Sequence, residues 1–72
     1  MNNPNELNKS MASVLIGRTI VKFRHMKRLT TKELSIKCKV PVEIIDLYER
    51  GRGDPGNRDY LDSLSRELDV VF

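Results

Sequence analysis

The stretch Thr30–Gly51 (Thr-Thr-Lys-Glu-Leu-Ser-Ile-Lys-Cys-Lys-Val-Pro-Val-Glu-Ile-Ile-Asp-Leu-Tyr-Glu-Arg-Gly) restricts the possible folds of this chain more than any other. Thr30 and Glu33 have capping-box spacing: the hydroxyl accepts from the Glu33 N–H, and the carboxylate accepts from the Thr30 N–H. A helix therefore opens at Thr30. It cannot pass Val40-Pro41, because the residue before proline is driven out of the α region, whereas proline itself suits the first turn of a new helix. The new helix carries Ile45 and Tyr48 on one face and stops at Gly51, which takes a positive φ at little cost. Two helices of about ten residues with a tight break between them describe a helix-turn-helix.

Apolar residues on both sides of this unit also repeat with helical period. Ile16, Ile20, Phe23 and Lys27 form a stripe, of which the first three face a core and Lys27 snorkels. Val14, Leu15 and Val21 lie off the stripe, as candidates for a second buried face or a subunit contact. Cations gather in Lys22–Arg28, where a helix C-terminus favours them. After Gly51, Arg-Gly-Asp-Pro-Gly-Asn is a loop. Gly56 or Asn57 then caps a helix containing Leu61, Leu64 and Leu68. The periodicity predicts helices over residues 13–28, 30–39, 41–50 and 57–68 with no strand, an all-α fold. Residues 1–12, polar and asparagine-rich at the start, are expected to be a flexible arm, although Leu7 and Met11, four apart, would share a face if the helix began near Asn5. Residues 13–72 form a single domain.

With 72 residues the chain has room for one core with a thin stability margin. No apolar run approaches the length needed to span a bilayer, and the N-terminus lacks a basic region leading into an apolar one; the expected location is the cytoplasm, with no membrane partner. Cys38 is the one cysteine, which leaves neither an intrachain disulfide nor a cysteine metal set. It is expected to be a small packing residue, and His25 an exposed side chain. No metal, cofactor or catalytic residues are predicted, because nothing links a base to a nucleophile, and the chain is not expected to be an enzyme. Charge divides along the chain. Residues 1–40 hold nine Lys/Arg against Glu6 and Glu33, or +7; residues 41–72 hold four Arg against eight Asp/Glu, or −4. Such asymmetry suggests a surface that faces a polyanion, or simply a solvated face.

Taken in order, Ile16–Arg24, Leu29-Thr30, Glu33-Leu34, Ile45, Glu49-Arg50-Gly51, Pro55 and Leu61/Leu64/Leu68 resemble the lambda-repressor and Cro-like helix-turn-helix family, also called the Xre family, over residues 16–70. The resemblance implies a four- to five-helix domain, the fifth helix reduced here to the tail Asp69–Phe72, and a transcriptional regulator of phage or plasmid type that binds duplex DNA, as a homodimer. The base-reading positions of the family fall on Val42, Glu43, Asp46 and Leu47. Its phosphate contacts fall on Thr30, Thr31, Lys32, Arg50 and Arg52, and a structural ion pair on Arg24 and Glu49. Ser35 and Ser65 match positions where the family keeps small residues. Lys39 departs from the usual glycine, so it either takes a left-handed conformation or the turn is built differently. Leu64, Leu68, Val70, Val71 and Phe72 are the candidate dimer interface. Carboxylates at positions 43 and 46 are unusual for base reading, since they accept only from donors such as the cytosine amino group and are repelled by phosphates. The alternative is the same fold used for protein–protein interaction, with the acidic helix Val42–Glu49 binding a basic partner as an antirepressor, an antitoxin-like inhibitor or an assembly subunit would.

Overall fold

The computed structural model describes the backbone from Pro4 and the side chains from Lys9 to Phe72. Within those residues there are four helices and no strand: α1 (Pro4–Met26), α2 (Thr31–Cys38), α3 (Val42–Glu49) and α4 (Arg58–Leu68). The fold is all-α. α1 and α2 each pack against both α3 and α4. The core is built from Ile20 of α1, Leu34 and Cys38 of α2, Val40 of the turn, Ile45 and Tyr48 of α3, and Leu61, Leu64 and Leu68 of α4. Truncating any of the large apolar members to alanine would cost about 2–5 kcal/mol.

α1 begins well before residue 13, with residues 4–12 helical, as the Leu7/Met11 spacing allows; Met1, Asn2 and Asn3, and the side chain of Leu7, lie outside the described residues. Pro4 is suited to a first helical position, and extending an existing helix adds one hydrogen bond per residue fixed with no new nucleation cost. Ser13 ties this segment down: its buried hydroxyl lies 2.9 Å from both Lys9 O and Gly53 O, the latter in the loop before α4.

The helix ends share one solution. Arg28, Lys39, Gly51 and Asp69 all adopt left-handed backbone, with φ of 56, 58, 78 and 57°. At Arg28 and Gly51 the flanking amides close a Schellman pattern: Leu29 N–H donates to Arg24 O (3.1 Å), and Arg52 N–H to Leu47 O (2.9 Å). Lys39 thus takes the strained option, its side chain notwithstanding. Ser35 Oγ donates to Val40 O at 2.6 Å just beyond it, and Ser65 Oγ donates to Val70 O in the same way beyond Asp69. The capping box is formed in both directions, each bond 3.0 Å, which makes Thr30 the cap and Thr31 the first residue of α2. Hydrogen bonding to Thr30 holds the Glu33 carboxyl below its ordinary pKa. Pro41 caps α3 from outside with ψ near 139°, and its carbonyl accepts from Ile44 and Ile45.

Leu64 and Leu68, expected at a subunit interface, are core residues of their own chain. Leu64 and Leu68 are 0% and 1% exposed inside their own core, because α1 and α2 already cover that face of α4. Val70 and Phe72 fold back onto the same core after the turn at Asp69, where Val70 N–H donates to Ser65 O. Val71 alone points outward, 94% exposed.

Candidate interaction surface

The seating of α3 starts with two glycines. A Cβ on Gly17 would stand 2.1 Å from the Tyr48 carbonyl oxygen, so only glycine lets α1 meet the end of α3 this closely. A Cβ on Gly53 would stand 1.9 Å from the Tyr48 ring, so the loop lies flat on that ring. The Tyr48 hydroxyl then donates to Asp54 O at 2.6 Å, and burial pushes its pKa up. Further along α1, Arg24 Nε and Nη2 grip both Glu49 oxygens at 2.7 and 2.9 Å, while Nη1 donates to Leu29 O at 2.9 Å. The two side chains are 12% and 14% exposed, so this bidentate pair works largely out of water. Glu49 raises the Arg24 pKa above its ordinary value, and Asp46 adds to the effect.

With its inner side occupied in this way, α3 turns Glu43, Leu47 and Arg50 outward along one stripe, with Asp46 and Val42 half-buried beside it. Neither Glu43 nor Asp46 has a cation within salt-bridge distance among the described residues, where the ion pairs are Arg24–Glu49, Lys27–Asp69 and Arg58–Asp62. Leu47 is 40% exposed. It helps line a concavity of about 230 Å³ together with Ile44, Tyr48 and Tyr60, edged by Arg52, Asp54 and Asn57. Ile44 and Tyr60 were not among the expected surface residues. The signal for Ile44 is the Ile44-Ile45 doublet, since two successive residues of a helix stand about 100° apart and only one can be central to the core, which leaves Ile44 at its edge.

The candidate phosphate contacts lie at the surface but are not equivalent. Lys32, Arg50 and Arg52 are exposed and unpaired among the described residues, and Thr31 is half-buried. Thr30 is committed elsewhere: its N–H is bonded to Glu33 and its hydroxyl oxygen accepts from the Glu33 amide. Away from this face, His25 is exposed and Cys38 is buried, with desolvation pushing the thiol pKa up and leaving it a poor nucleophile. No described helix is long and apolar enough to cross a membrane.

Comparison with known protein families gives no match, and no solved structure matches. Two curated fungal proteins do. One, from Yarrowia lipolytica and provisionally named multi-protein-binding factor 1, is 36% identical over 55 residues, which covers 76% of this chain and 36% of the relative. The other, multiprotein-bridging factor 1 of Candida albicans, is 40% identical over 57 residues, 79% of this chain and 37% of the relative. The chain thus resembles one part of such factors and spans little more than a third of their length.

Proposed function

We propose that this domain is a protein-interaction module of a bridging factor that acts in transcription, and that the outer face of α3 takes a basic segment of a partner protein. The observation that carries this reading is exposed Glu43 and Leu47, with half-buried Asp46 beside them, on a helix whose inner side is fully engaged; neither Glu43 nor Asp46 forms an ion pair among the described residues. Cationic side chains of a partner would pair with the carboxylates, and an apolar one would bury against Leu47 and enter the concavity floored by Ile44 and Tyr60. The same carboxylates oppose the approach of a phosphate backbone. The names of the two fungal relatives favour protein bridging as well. The test is a titration of the domain with a labelled peptide of Lys, Arg and Leu: Glu43→Gln with Asp46→Asn should weaken binding about tenfold, and unchanged affinity would reject the reading.

A second reading is supported by Lys32, Arg50 and Arg52, three exposed cations without carboxylate partners, at positions where the lambda-repressor-like resemblance implies phosphate contacts. In that reading the domain is a duplex-DNA-binding regulator, and the neutralised α3 variant binds DNA more tightly. Lys32→Ala would then weaken binding to all duplexes and reduce the salt slope by about one.

A further inference from the structure

The outer face of α3 is not uniformly acidic. Arg50, its C-cap, and Arg52, just past the turn at Gly51, are exposed and form no ion pair among the described residues. Left-handed Gly51 folds the chain back so that the Arg52 N–H donates to Leu47 O at 2.9 Å, which stations a cation beside the exposed leucine. Glu43 lies about one helical turn from Leu47 in the other direction, and Arg50 stands about 10 Å from Glu43 along the axis. Between the opposite charges, Ile44, Leu47 and Tyr60 line the concavity of about 230 Å³, and Arg52 stands on its rim. An engineered apolar cavity of about 150 Å³ holds benzene, so one side chain of leucine or phenylalanine size fits here.

We infer that this face takes a bipolar segment of a partner protein: a cation that meets Glu43, an apolar side chain that enters the concavity, and a carboxylate beyond it that meets Arg50 and Arg52. The inference rests on the proposed basic-segment reading and adds the second charge. The helix dipole accounts for a carboxylate in the first turn of α3 and a cation at its end. It does not account for Arg52, which lies outside the helix, or for exposed Leu47 and an apolar hollow between opposite charges. A uniformly anionic partner, duplex DNA included, meets repulsion at Glu43, and a uniformly cationic one meets it at Arg50 and Arg52. A segment that carries both signs in order meets neither. Asp54, the one carboxylate on the concavity's lining, forms no ion pair with Arg52; its Oδ1 accepts from the Gly56 N–H at 2.8 Å instead.

The experiment titrates the full chain with fluorescein-labelled peptides and reads anisotropy, in parallel with duplex DNA. Each peptide is built around a leucine. The bipolar one carries Lys a helical turn to one side and Glu a turn to the other, and is made in both orders; the controls carry Lys on both sides or Glu on both sides. In one of its orders the bipolar peptide should bind about tenfold tighter than either control. Arg50→Gln with Arg52→Gln should erase its advantage over the basic peptide, and Arg52→Glu should reverse it, a gain in basic-peptide affinity that a misfolded variant could not show. No advantage in either order, or an advantage that survives the loss of both arginines, would overturn the inference, as would arginine variants that alter DNA binding alone. Failure of the underlying reading is distinguishable: it appears as basic-peptide affinity unmoved by Glu43→Gln with Asp46→Asn, whereas failure of the inference alone leaves that response intact.

Discussion

The two sides of α3 obey different rules. On the inner side, Ile45 and Tyr48 are buried, the Tyr48 hydroxyl has its acceptor, and Glu49 is held by Arg24 through two bonds. On the outer side, Glu43, Leu47 and Arg50 have no such partners among the described residues, and half-buried Asp46 is tied to the inner set only through its charge, which acts on Arg24. Folding accounts for the inner residues and leaves the outer ones unexplained, which is why the outer face is where a binding role is to be sought.

The hardest test of this contrast is Gly17→Ala. Its methyl group would be forced onto the Tyr48 carbonyl, and a loss of about 3 kcal/mol is expected in denaturant unfolding; undiminished stability would mean that α1 and α3 can part without cost. Next comes Glu49→Gln, which leaves the Arg24 guanidinium in place without its countercharge, and should cost about 2 kcal/mol by the same measurement. Lys39→Gly removes left-handed strain and should stabilise by about 1 kcal/mol.

Glu33 sharpens the comparison, since it is exposed like Glu43 yet internally paired. Its folded pKa is depressed, so its contribution is present above the ordinary carboxyl range and disappears as pH falls through the folded value. Thermal melts of wild type and Glu33→Gln should differ at neutral pH and converge in acid. Smallest of all, Glu43→Gln with Asp46→Asn should change stability by no more than about 0.5 kcal/mol, and a larger loss would place these residues with the inner set.

What could be read in advance was local. The capping box, the break at Val40-Pro41 and the inward side of α3 follow from neighbours within one or two turns, and all three are present. Gly17 gave no such signal, because its importance depends on α1 passing within touching distance of a carbonyl 31 positions away. The burial of Leu64 and Leu68 under α1 and α2 is illegible for a related reason: spacing reveals that a helix face is apolar, but not whether the chain's own helices or a second subunit cover it. The sequence leaves the start of α1 open between Asn5 and Ser13, because polar composition says little about whether an existing helix continues. Among the surface residues, exposure of Glu43 and Leu47 was foreseeable from their spacing against Ile45 and Tyr48, whereas the cavity formed with Tyr60 depends on how α4 crosses α3.

Gly17 and Arg24 hold α3 from positions about two turns apart on one helix, roughly 10 Å along its axis. A single contact would act as a pivot. Two act as a bracket and resist torque, so a partner pressing on the outer face of α3 must turn α1 as well. Little of the grip is then dissipated in tilting the helix, and the entropy normally lost in immobilising a loose element has already been surrendered during folding.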